Sequence, residues 1–176
     1  HPDGSVSGLT ATPVVDALRS AGIAFSWEKI PTNRQLAMIQ ENLAPVCGIG
    51  WFKNPERLTF AKFTKPIYRD KPTLVIANAG FIAPEGKRLA DLLAISQVQL
   101  LVKDKYSYGP YIDELLLRLK PVLVPTTAEN LGMIKMIKAG RADIMLASEE
   151  EADYFVAQAG YTLAEFKLMK FSDLPA

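Results

Sequence analysis

Short apolar runs alternate with helix-patterned segments along nearly the whole chain, and this alternation narrows the fold to α/β architectures with largely parallel sheets. Thr12 can cap a helix with Pro13 at its first position; Val14, Val15, Leu18 and Ala21 then share one face, and Gly22 stops it. Residues 23–30 read as a strand. A second helix opens at Thr32 and Asn33, with Leu36, Ile39 and Leu43 at helical spacing, and residues 46–49 read as the next strand. Residues 66–68 and 73–77 are strand-like, and residues 78–87, with two glycines and a proline, form the best candidate linker. The rhythm then resumes. Strands are expected at 98–102, 122–124, 143–147 and 166–171, and helices at 110–119, 126–138 and 149–159. Thr126-Thr127-Ala128-Glu129 has the form of a capping box, and Gly140 and Gly160 serve as stops.

The bulk properties exclude several function classes. A chain of 176 residues can bury one good core or two small ones. Its 49% hydrophobic and 22% charged content is that of a globular protein. Lys and Arg number 20 against 19 Asp and Glu, a formal charge of +1, so no global field recruits nucleic acid or an anionic membrane, and any anion preference must be local. The single cysteine, Cys47, allows neither an intramolecular disulfide nor a multi-cysteine metal site, and its setting between Val46 and Gly48-Ile49 reads as buried packing. The one histidine is His1, and no Gly-x-Gly-x-x-Gly, phosphate-binding loop or His-Glu-x-x-His occurs. Neither a cofactor nor catalysis is expected. The apolar stretches fall short of the roughly 20 residues that a spanning helix needs.

Open α/β sheets bind ligands beyond the carboxyl ends of their strands, which selects the turns at 50–57, 106–110 and 125–127. In the first turn Asn54 suits an N-cap and Pro55 the first helical position, with Glu56 and Arg57 next. A guanidinium there opposes the helix dipole unless it meets an anion, and with the backbone N–H groups it would suit a carboxylate or phosphate. A surface pair with Glu56 is the alternative. Trp51 and Phe52 follow Gly50 directly and should point to opposite sides of an extended segment. In the second turn Ser107 offers a hydroxyl and Tyr108 a ring, set against the reading of an ordinary helix-start loop. Thr126 and Thr127 read as capping residues or ligand contacts.

The run Asn54-Pro55-Glu56-Arg57, followed by Phe63-Thr64-Lys65-Pro66-Ile67-Tyr68, resembles a pattern of the bacterial extracellular solute-binding proteins of family 3, the amino-acid-binding components of ABC transporters. Gly140-Arg141-Ala142-Asp143-Ile144-Met145-Leu146 resembles a second pattern of that family, in the expected order. The resemblance implies a two-lobed periplasmic binding protein of type II, each lobe a mostly parallel sheet flanked by helices. Lobe 1 would span residues 1–78 and lobe 2 residues 79–176, with a hinge near 77–87. A small carboxylate-bearing, amino-acid-like ligand would lie between the lobes. By the same resemblance Arg57 would hold its carboxylate, Gly50, Ser107 and Thr126 would add N–H and hydroxyl donors, and Trp51, Phe52 or Tyr108 would pack on its body. Phe52 stands where the family commonly carries a small hydroxyl residue, and Ser148 where its amino-acid binders carry the Asp that pairs with the α-ammonium group.

The resemblance further implies a monomer with a membrane permease as partner, no nucleic acid, and a periplasmic location after loss of a signal peptide. His1-Pro2-Asp3-Gly4 reads as a hairpin turn, so the family's first strand, and its last segment returning to lobe 1, would be missing from this chain. The same fold also serves ligand-sensing domains of membrane signalling proteins and, less often, dehydratases, which remain the alternative readings.

Overall fold

The computed structural model describes residues 5–82 and 88–174. The chain divides into two compact units, His1–Arg69 and Asp70–Ala176. The Asp3-Gly4 turn and residues 83–87 of the expected linker lie outside the described residues.

The second unit is a five-stranded sheet between two helical layers. Its elements are β1 (Thr73–Asn78), α3 (Leu89–Leu93), β2 (Gln99–Lys103), α4 (Pro110–Leu119), β3 (Val122–Thr126), α5 (Asn130–Lys138), β4 (Ile144–Ser148), α6 (Glu149–Gln158) and β5 (Phe166–Met169). The strand order is β3-β2-β4-β1-β5. β2 runs parallel to β3 and β4, while β1 is antiparallel to both β4 and β5. The sheet is therefore mostly parallel with one reversed strand. The Leu74, Val75, Ile76 and Ala77 side chains of β1 are all buried, as a central strand covered on both faces requires. Alternation sends Val75, Ala77, Leu100, Val102 and Leu146 to one face, against Leu89, Leu92 and Leu93 of α3 and Ile112 and Leu115 of α4. Leu74, Ile76, Leu101 and Met145 go to the other, against Met133, Ile134 and Ile137 of α5 and Ala152 and Val156 of α6. Each fully buried aliphatic side chain contributes roughly 1.5–3 kcal/mol, so this unit holds most of the fold's hydrophobic stabilisation.

β1 belongs to this sheet, pairing with β4 over Thr73–Ala77 and with β5 over Val75–Asn78. The expectation that residues up to 78 form part of lobe 1 thus parts from the observed units, which meet between Arg69 and Asp70.

The first unit contains α1 (Ala11–Ser20), α2 (Thr32–Glu41) and one 3₁₀ turn (Arg57–Thr59). Among its described residues only Val15 and Arg57 are buried. The strands expected at 23–30, 46–49 and 66–68 do not form. A strand exists only as a hydrogen-bonded partner of another, and no described residue of this unit supplies a ladder. For the same reason Cys47 is exposed rather than packed in a strand.

Candidate functional site

Arg57 is the most buried charged residue described, at 4% exposure. Its placement starts with Gly50, whose φ of +74° belongs to the left-handed region that favours glycine, and which turns the chain into Trp51 and Phe52. The Asn54 Oδ1 then accepts the Arg57 backbone N–H at 2.8 Å, the local bond expected of a cap. The helix expected to follow is a single turn, closed by the Phe60 and Ala61 N–H groups on the Arg57 carbonyl. With no long helix there is no macrodipole for Arg57 to oppose. Its guanidinium instead donates from Nη1 to the Phe52 carbonyl at 2.7 Å and lies over Trp51, with Cζ 4.7 Å from the ring centre. Trp51 is half-buried while Phe52 is 39% exposed. The Trp51 indole N–H donates to Gln35 Oε1 of α2 at 3.2 Å. Gln35 was invisible to the sequence reading, because a glutamine on a mostly polar helix face, sixteen residues from its partner, gives no pattern.

In the second unit, Lys103, Thr126 and Ser148 close β2, β3 and β4 at their shared carboxyl edge. The loop after β2 brings Ser107 and Tyr108 to that edge. Ser107 is 5% exposed; its hydroxyl donates to Asp113 Oδ2 at 2.5 Å and accepts the Gly109 N–H at 3.3 Å. The Tyr108 N–H donates to Asp113 Oδ1, and the Tyr108 hydroxyl accepts the Lys103 N–H at 2.9 Å. Its ring packs against the α3/α4 side of the core. Burial, foremost, pushes the Tyr108 hydroxyl up to about 12. The Thr126 hydroxyl accepts the Ala128 N–H, and the Ser148 hydroxyl caps α6 by accepting the Glu150 N–H at 3.3 Å. Each of these four side chains holds its own loop.

The capping box expected at Thr126 does not form, since α5 starts four residues later and Glu129, its required partner, ion-pairs with Lys103 Nζ at 2.7 Å. The reciprocal box stands at Thr162 and Glu165 instead.

No protein-family model and no curated protein sequence matches the chain. Solved structures do. An ancestral arginine-binding protein bound to arginine matches with a TM-score of 0.67 at 16% identity, over 99% of this chain and 74% of that one. The arginine-, lysine-, histidine-binding protein ArtJ from Geobacillus stearothermophilus matches at 0.70 and 14%, over 92% and 66%. A chain from the glutathione and cystine ABC import system of Streptococcus mutans matches at 0.72 and 12%, over 99% and 70%. At these identities the likeness is one of fold, shared with amino-acid-binding proteins of known structure.

The electrostatics of the second unit centre on the start of α6. Partial burial, then the Glu150 charge, pushes the Asp70 carboxyl up; burial, then Asp70 and Glu150, pushes up Glu151 against the pull of Lys103. Glu149 is held low by the hydrogen bond from Lys170 Nζ, 2.7 Å away. Lys103, 11% exposed, also lies 5.5 Å from the centre of the Tyr106 ring. Among the described residues no group of three or more His, Cys, Asp and Glu side chains is arranged to hold a metal ion, and no helix is long and apolar enough to cross a membrane.

Proposed function

We propose that this chain is a solute-binding protein that takes a small, carboxylate-bearing, amino-acid-like ligand, with the carboxylate held by Arg57. It passes that ligand to the membrane permease of an ABC importer and works outside the cytoplasmic membrane. The observation carrying this reading is the guanidinium of Arg57, a buried cation fixed on the Trp51 face just after a glycine turn, in a fold shared with arginine- and other amino-acid-binding proteins. A planar fork fixed in advance loses less entropy on meeting a carboxylate than a mobile one. The neighbours that share the fold are binding proteins, and no step of chemistry is asked of this chain.

Paired calorimetric titrations with L-arginine and with agmatine, which lacks only the carboxylate, test the reading. The expected result, for arginine or another amino acid of a panel, is binding of the acid and none of its decarboxylated partner. Equal binding of both would remove the carboxylate from the account.

A further inference from the structure

We propose that Gln35 is a positioning residue for Arg57, fixing the guanidinium through the Trp51 indole without touching ligand; this rests on the reading of Arg57 as the ligand-holding group. Gln35 bridges two points. Its Nε2 donates to the Ile30 carbonyl at 2.8 Å and its Oε1 accepts the Trp51 Nε1–H at 3.2 Å. Only one orientation of the amide satisfies both, because a flip would set oxygen against the Ile30 carbonyl and NH₂ against the indole N–H. The indole is thereby held by α2.

Gly48 independently shows that this pose is built in. A Cβ added there would lie 2.7 Å from both Cδ1 and Nε1 of Trp51, and 3.3 Å from Ile39 Cδ1. The indole therefore occupies the space a side chain at position 48 would fill, with Ile39 of α2 beside the same point. Arg57 rests on the ring so placed, its Nη1 on the Phe52 carbonyl. An arginine side chain has many rotamers, and a fixed aromatic platform reduces them before ligand arrives. Gln35 and Gly48 set the platform; Arg57 is what it carries.

The chain has two tryptophans, so a Trp27→Phe background leaves Trp51 as the sole indole reporter. In that background Gln35→Met keeps the side-chain length but removes both hydrogen bonds, whereas Gln35→Glu keeps an oxygen for the indole N–H. Trp51 emission and acrylamide quenching are read without ligand, and L-arginine and an amino-acid panel are then titrated. The expected result is a red-shifted, more quenchable Trp51 in Gln35→Met and in Gly48→Ala, affinity for the bound amino acid lower by roughly tenfold in Gln35→Met, and recovery of most of both in Gln35→Glu. Unchanged Trp51 emission and quenching in a Gln35→Met protein with native far-UV circular dichroism overturns the proposal, as does an equal effect of Gln35→Glu. If the parent binds no amino acid, the ligand reading fails, and the Trp51 signal alone decides whether Gln35 places the ring.

Discussion

The Ser107 hydroxyl donates to the Asp113 carboxylate across 2.5 Å, tying the loop that leaves β2 to the first turn of α4. The same carboxylate accepts the Tyr108 N–H. Asp113 thus anchors the loop before α4 from the helix's own first turn. Ser107→Ala and Asp113→Ala should each destabilise the protein by about 1–3 kcal/mol, since one leaves the half-buried Asp113 carboxylate and the other the buried Ser107 hydroxyl without its partner. In a thermal double-mutant cycle the pair should couple by about 1 kcal/mol or more; strict additivity would show that the bond contributes nothing.

Asp173 performs the corresponding task for α3 from the far end of the chain. Its carboxylate accepts the Leu89 N–H at 2.7 Å, the Ala90 N–H at 3.2 Å and the Tyr111 hydroxyl at 3.0 Å. Burial pushes this carboxyl up, but the hydrogen bonds together outweigh it and hold it below its ordinary value of 3.8. A depressed carboxyl contributes stability above its unfolded value and loses it as pH falls through the folded one, because the unfolded state then binds more protons. Asp173→Asn should therefore be less stable than the parent near pH 7, with the difference shrinking below about pH 3.8. Urea denaturation across that window reads it directly, and a pH-independent difference would contradict the linkage.

Tyr108 carries the opposite sign. Between pH 10 and about 12 the unfolded state releases the phenolic proton while the native state keeps it, so the native state binds more protons and stability falls as pH rises. The slope should be about 1.4 kcal/mol per pH unit over that window. Tyr108→Phe should lack this part of the alkaline destabilisation, while losing roughly 1–2 kcal/mol at neutral pH because the Lys103 N–H is left without its acceptor. Parallel alkaline denaturation curves would exclude the buried phenol as their cause.

The two units should differ in local stability. Amides of β1 and β2, in a sheet packed on both faces, should exchange only through large-scale opening, whereas those of α1 and α2, where Val15 is the only buried side chain, should exchange far sooner. Hydrogen exchange with residue resolution would show this as two classes of protection. A uniform rate would mean that the first unit is held more firmly than its burial suggests.

The second unit was legible because its signals are local. Ile112, Leu115, Leu116 and Leu119 at helical spacing after a proline place a helix at 110–119, where α4 is. The capping box was not, since Thr126-x-x-Glu129 and Thr162-x-x-Glu165 share one pattern, whereas in the fold α5 starts after Glu129 and that carboxylate pairs with the Lys103 ammonium, distant in sequence. The first unit failed for a related reason. Residues 23–30 and 46–49 have strand composition, but composition cannot supply a ladder partner. At the site, the Asn54 bond to Arg57 was readable from three residues, whereas the Trp51 platform and its Gln35 anchor are tertiary and left no trace in the local sequence. Ser107, Tyr108, Thr126 and Ser148 all come to the carboxyl edge of the sheet, yet the local bonds they make depend on neighbours that spacing alone did not reveal.

The most direct test of the account is the melting temperature measured against a panel of amino acids and small carboxylates, for the parent, Arg57→Ala and Arg57→Lys. A ligand at about 100 times its dissociation constant adds roughly 2.7 kcal/mol, or about 5–10 °C for a chain of this size. The account predicts such a shift in the parent, its loss in Arg57→Ala and a much smaller one in Arg57→Lys, which keeps the charge but not the planar fork. A shift of equal size in all three proteins, or none in the parent with any compound, would contradict it.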